Sequence, residues 1–124
     1  MKICITARGP DPESGFEPHF ARAPWFLLFD TRTRQVDAIR NGFTVSDRKI
    51  GQNAVLLLSS HNITTVITGR AGTQAKNLLM NAHIQLHICE SEGSVHEVFS
   101  EFLLTKKGKT GSPVPEQPAE RRTR

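Results

Sequence analysis

Two cysteines, Cys4 and Cys89, are the whole thiol content of this 124-residue chain, and each sits in a segment patterned as a strand. Two isolated cysteines do not make a disulfide framework, so the natural compartment is a reducing cytoplasm. No C-x-x-C pair is present, which removes the usual thiolate half of a self-contained zinc site. No apolar run approaches the roughly 18–20 residues that cross a membrane, and the N-terminus carries no secretory-signal pattern. Nucleotide-binding loops of the G-x-G-x-x-G or Walker type are missing as well. A two-metal nuclease gathers several carboxylates around its ions, whereas the first strand offers Cys4 and Thr6 instead of acids. No candidate nucleophile stands beside an evident base and orienting group. Enzyme chemistry therefore lacks support, and binding is the better class.

Net charge is also missing from most of the chain. Residues 1–105 hold ten basic and ten acidic side chains, and the whole formal excess of +4 falls in residues 106–124. That last stretch is rich in Pro, Gly, Ser and charge, and reads as a basic disordered tail behind one domain over 1–105. A basic terminus is ordinarily a solvated one and does not by itself indicate a nucleic-acid partner.

What is present is an ordered alternation of strand and helix patterns. Lys2-Ile3-Cys4-Ile5-Thr6-Ala7 alternates as a strand. Residues 8–18, with Gly9, Pro10, Pro12, Gly15 and Pro18, form a long loop by composition. Trp25-Phe26-Leu27-Leu28-Phe29 is an apolar run of the kind found in a strand buried on both faces, and Gln35–Arg40 alternates as a half-exposed third strand. The period then changes. Ser46 or Asp47 caps a helix with Ile50, Ala54, Leu57 and Leu58 on one face, ending at His61-Asn62 with Asn62 able to turn left-handed. A β-branched strand over 64–68 and the turn Gly69-Arg70-Ala71-Gly72-Thr73 lead into a helix with Ala75, Leu78, Leu79 and Ala82 inward. A strand over 84–89 follows, and Ser94-Val95-His96-Glu97 is a capping box opening a last helix.

The order β-β-β-α-β-α-β-α implies an antiparallel meander continued by right-handed parallel crossovers. The expected fold is α/β, an RNase H-like three-layer arrangement with a mixed five-stranded sheet and helices on both faces. If the first, fourth and fifth strands run parallel, their C-terminal ends share one rim, where ligands on open α/β sheets bind. Loops 8–24, 69–73 and 89–94 are expected there, with the 41–48 segment on the same side.

Three features of that rim carry candidate chemistry. His19 lies in Pro18-His19-Phe20-Ala21-Arg22-Ala23-Pro24, where two prolines limit backbone freedom and Arg22 stands three residues on. Imidazole is a good ligand for iron, zinc and copper, and Arg22 complements an anion. The alternative is a histidine hydrogen-bonded to backbone at a strand end. The turn holding Gly69, Arg70, Gly72 and Thr73 joins a strand to a helix N-terminus, which suits an anion; the alternative is glycines needed only for a tight turn. Cys89 ends the fifth strand on the face of His87, and as a thiolate there is a possible soft-metal ligand. Cys4, in mid-strand, is core packing. His61, His83 and His96 look solvated.

Met1-Lys2-Ile3 with the strand behind it, the block Pro18-His19-Phe20-Ala21-Arg22-Ala23-Pro24-Trp25-Phe26, and Val66-Ile67-Thr68-Gly69-Arg70-Ala71-Gly72 together resemble the dinitrogenase iron–molybdenum cofactor biosynthesis family. The resemblance covers about residues 1–104. It implies the same RNase H-like fold and a non-catalytic carrier of an anionic metallocluster, either the iron–molybdenum cofactor or its iron–sulfur precursor. It further implies donor or acceptor proteins of cofactor assembly as partners, and His19 as the residue that holds the cargo. One departure stands out: many relatives carry a histidine- and glycine-rich segment before the first long helix, and here Asn41–Asp47 has no histidine. A small regulatory or protein-interaction module that kept the fold without the cluster is the competing expectation.

Overall fold

A computed structural model describes residues 1–41 and 50–109, with side chains over 1–41 and 54–105. The elements in order are β1 (Lys2–Ala7), β2 (Trp25–Asp30), β3 (Val36–Arg40), α1 (Ile50–Ser59), β4 (Thr65–Thr68), α2 (Thr73–Asn81), β5 (Gln85–Ile88) and α3 (Val95–Lys109). They form one five-stranded sheet in the order β3-β2-β1-β4-β5. β1 pairs antiparallel with β2 and β2 with β3, whereas β1–β4 and β4–β5 are parallel. The expected mixed sheet and its meander-then-crossover topology are what the chain adopts.

Alternation along the strands divides the core. Cys4, Phe26, Leu28 and Val66 face α1 and α2, and meet Ala54, Leu58, Ala75 and Leu79. Ile3, Ile5, Leu27, Phe29 and Ile67 face α3, and meet Val95, Val98 and Phe102. Helices therefore cover both faces of the sheet. β1, β2 and β4 are buried on both faces along most of their length, as near-continuous apolar runs require.

The helix ends follow local chemistry. At α3, Ser94 and Glu97 make the reciprocal capping box, with Glu97 N to Ser94 Oγ at 3.1 Å and Ser94 N to Glu97 Oε1 at 2.9 Å. Asn62 takes the left-handed conformation after α1 (φ 61°). His83 does the same between α2 and β5 (φ 61°), and Arg34 does so in the β2–β3 turn (φ 66°). The composition of 106–109 suggests the start of a tail, but α3 continues to Lys109. Lys106 and Lys107 are good helix formers, and a helix already nucleated adds such residues at little cost. The disordered tail over 110–124, the cap at Ser46 or Asp47 and the placing of 42–48 on the rim lie outside the described residues. Among the described residues no helix is long and apolar enough to cross a membrane.

Candidate functional site

The C-terminal ends of β1, β4 and β5 lie along one rim, and antiparallel pairing of Ala7 with Trp25 and of Trp25 with Arg40 brings the start of β2 and the end of β3 to the same edge. Asp30 pairs with Lys2 at the far end. The long 8–24 segment is far from formless. It folds back on β1 through Arg8 N to Gly15 O and Glu17 N to Thr6 O, and its carbonyls at Ser14 and Pro12 accept from Val95 and His96 at the start of α3.

Residues 18–24 are fastened at several points. The Pro18 carbonyl accepts from the amides of Gly69 (3.0 Å) and Arg70 (2.7 Å), and from Thr68 Oγ1 at 3.2 Å. Phe20 N returns a bond to Arg70 O at 3.0 Å, so that His19 and Arg70 form a parallel bridge. Bridged residues direct their side chains to the same face of a pleat. Phe20 and Ala23 are buried in the core cluster on the α1/α2 side, with the Phe20 ring 5.8 Å from that of Phe26. Buried Asn41 reaches the carbonyls of Ala21 (3.1 Å) and Ala23 (2.9 Å) with its side-chain amide. Anchors at 20 and 23 leave Arg22 between them and His19 just ahead of the first, both exposed.

His19 is not a bare surface ring. Its Nδ1 lies 3.0 Å from Glu17 Oε2, and its amide donates to the same oxygen at 3.1 Å. The other oxygen, Oε1, accepts from Arg8 Nε at 3.3 Å. Partial burial pushes the Glu17 carboxyl upward, but the bonds from the His19 ring and amide and from Arg8, with the Arg8 charge, outweigh it and leave the group below the usual carboxylate range. Nε2 of His19 is the ring nitrogen left for a ligand. Among the described residues neither Arg22 nor Arg70 has a carboxylate partner, so this part of the rim carries uncompensated positive charge.

The two glycines of the 69–73 turn differ in purpose. A Cβ at Gly69 would stand 2.7 Å from Pro18 Cβ and 2.9 Å from Pro18 O, whereas at Gly72 it would meet nothing within 4 Å. Gly69 therefore permits the close approach of the 18–20 segment. The amides of Gly69 and Arg70 are taken up by Pro18 O, which leaves anion binding in this turn to its far end. There Gly72 is the N-cap of α2 with no side-chain cap, and no acid follows in the first turn. Thr73 opens the helix.

Cys89 follows β5 and packs against the α3-side cluster. Burial and then the Glu101 carboxylate push its thiol up, which favours S–H over thiolate. Cys4 is fully buried, and desolvation raises it strongly. His87 shares the α3 face and meets Phe102 edge-on at 5.1 Å. His83 and His87 are four apart, but a left-handed turn and a strand separate them, so the spacing does not act as it would on a helix. His83 and His96 are exposed and His61 is half-buried. Among the described residues no three His, Cys, Asp or Glu side chains come together as a metal-holding group. Glu17 and Asn41 do not stand out in the sequence pattern, since their partners at His19, Arg8, Ala21 and Ala23 are set by the fold. The signal for Glu17 was its place two residues before His19, within reach of the same loop.

Comparison with known proteins agrees with this fold. The apo form of the orange protein from Desulfovibrio gigas is 26% identical, with a TM-score of 0.80, covering 85% of this chain and 88% of that one. A NifB-like protein from Thermotoga is also 26% identical, with a TM-score of 0.75 over 83% of this chain and 87% of its own. No curated protein matches the chain by sequence. The family model described as "Dinitrogenase iron-molybdenum cofactor" matches residues 1–105, which include the whole sheet and every rim residue described above. By that match the chain belongs to the dinitrogenase iron–molybdenum cofactor family.

Proposed function

We propose that the protein is a non-catalytic carrier of an anionic metallocluster, the iron–molybdenum cofactor or an iron–sulfur precursor of it, exchanged with donor and acceptor proteins of cofactor assembly. Family membership supports a role in the biosynthesis or binding of that cofactor, and likeness to the orange protein supports a small binding protein rather than an enzyme. The observation that carries the reading is His19, next to buried Phe20 and bridged to Arg70, with Nδ1 engaged by Glu17 and near Arg22 and Arg70, neither of which has a carboxylate partner among the described residues.

The donor set decides what kind of cargo fits. Iron–sulfur clusters built on a protein ordinarily take several cysteine thiolates, whereas the described residues of this rim offer the His19 imidazole, the Arg22 and Arg70 guanidinium groups and the uncapped start of α2 at Gly72 and Thr73. Such a set suits a preassembled cluster that brings its own sulfide shell. His19 would ligate one metal atom, and Arg22, Arg70 and the α2 amides would complement the negative charge. Gly69 would serve by letting the loops close, and Cys89 could join as a second ligand only by giving up its proton.

Anaerobic titration of the protein with isolated iron–molybdenum cofactor, followed by visible absorption, tests this. Wild type is expected to take up cofactor, and His19→Ala to bind at least about tenfold more weakly. Absence of uptake by wild type, or equal affinity of the variant, sinks the assignment. The absence of a multi-ligand metal group among the described residues favours one rival, a regulatory or interaction module that binds no cluster. That rival predicts no cofactor-dependent absorption band at any concentration.

A further inference from the structure

Both oxygens of the Glu17 carboxylate are engaged at this rim. Its carboxylate accepts the His19 amide (3.1 Å) and faces His19 Nδ1 (3.0 Å) through Oε2, and takes Arg8 Nε (3.3 Å) through Oε1. The backbone on which it rides is fixed on both sides, since Glu17 N donates to Thr6 O and Glu17 O accepts from the Thr6 hydroxyl. The side chain is only 16% exposed, against 47% for that of His19. A carboxylate so held is an element of the scaffold rather than a wandering surface group, and it sits behind the ring that faces solvent.

We propose that Glu17 is the positioning residue of this rim: it keeps the imidazole proton of His19 on Nδ1, so that Nε2 turns a lone pair outward to a metal atom with an exchangeable position. The inference rests on the reading of His19 as the cargo ligand. Its chemistry is direct. An ionised carboxylate only accepts, so the nitrogen facing it must donate, and a neutral ring protonated at Nδ1 has its lone pair at Nε2. A ring in that state coordinates metal and cannot donate to a sulfide or oxide, which leaves the anionic contacts to Arg22 and Arg70. The carboxylate behind the ring also stops the ring from swinging. Arg8, on the far oxygen, braces the carboxylate from outside.

The test uses the full-length 15N-labelled protein at pH 8 and long-range proton–nitrogen correlation of the histidine rings. Wild type is expected to show His19 as the Nδ1–H tautomer, a measurement that needs no variant to fold. Glu17→Ala and Glu17→Gln, each checked for an intact fold by thermal unfolding, are expected to shift His19 toward a mixed or Nε2–H pattern. His61, His83 and His96 should stay unchanged as internal controls. Aqua Co2+ is then added, and paramagnetic broadening of the His19 signals should reach its midpoint at about tenfold higher concentration in the variants. A wild-type ring in the Nε2–H or doubly protonated form overturns the proposal, as does an unchanged tautomer and Co2+ midpoint in folded Glu17→Ala. Failure here separates cleanly from failure of the carrier reading. Cofactor uptake that depends on His19, with the ring in the Nε2–H form, overturns only the role of Glu17. The Nδ1–H form without cofactor uptake supports Glu17 and overturns only the carrier.

Discussion

His19, bridged to Arg70 after β4, and Cys89, directly after β5, lie at the same rim, yet the fold treats them in opposite ways. His19 is bridged to Arg70 and adjoins buried Phe20, with a carboxylate on its inner nitrogen and, nearby, Arg22 and Arg70, which have no carboxylate partner among the described residues. Cys89 leans into the apolar cluster under α3, where burial and Glu101 keep its proton on. The difference teaches that reaching the rim is not enough. A side chain is available to a ligand when its segment is anchored by its neighbours and the residue itself faces out.

The sharpest way to break that comparison is to remove an anchor. Phe20 is 1% exposed and packs on Phe26, and Phe20→Ala is expected to cost about 3–5 kcal/mol, as large-to-small changes in cores do. Urea unfolding measures the loss. If the loop is display scaffold, cofactor affinity should fall even where the variant remains folded. A fall in stability below about 1 kcal/mol would show that the loop is not held by this ring.

Next in size is a contrast between two glycines. Gly69→Ala drives a methyl group against the Pro18 backbone, and overpacking of that kind typically costs about 1–3 kcal/mol. Gly72→Ala, with open space around it and extended backbone (φ −66°, ψ 164°), should change stability by less than about 0.5 kcal/mol. Denaturant midpoints of the two variants check this. Equal effects would mean that the close approach of 18–20 to 69–70 does not depend on glycine at 69.

Much of this was legible in the sequence, and the reasons for what was not are physical. Element order and pairing directions followed from period changes and short connections, and the Ser94–Glu97 box and the left-handed Asn62 were readable because each depends on residues within a turn of one another. Pairings across the chain were not. The proline- and glycine-rich 8–18 segment looks like open loop by composition, yet β1 and the start of α3 give its backbone partners, and nothing local encodes that. Gly69 and Gly72 look alike until Pro18 arrives beside one of them. His83 in a left-handed turn replaces the glycine or asparagine usually sought there, and only tertiary context selects it.

The smallest effect bears on the other half of the comparison, the thiol. Because Cys89 is raised above its ordinary value, its thiolate fraction near pH 8 should be below that of a free cysteine, and only the thiolate is nucleophilic. Alkylation by iodoacetamide, followed by mass spectrometry, should therefore be slower at Cys89 than at a cysteine in an unstructured peptide. The rate should keep climbing with pH beyond the range where the peptide's rate levels off. Burial ranks ahead of Glu101 as the cause, so Glu101→Gln should speed the reaction only modestly. Fully buried Cys4 should stay unmodified until the protein unfolds. A Cys89 that reacts at pH 8 as fast as the peptide would be a displayed thiolate after all. It would then rejoin His19 as a ligand candidate and erase the contrast drawn between the two.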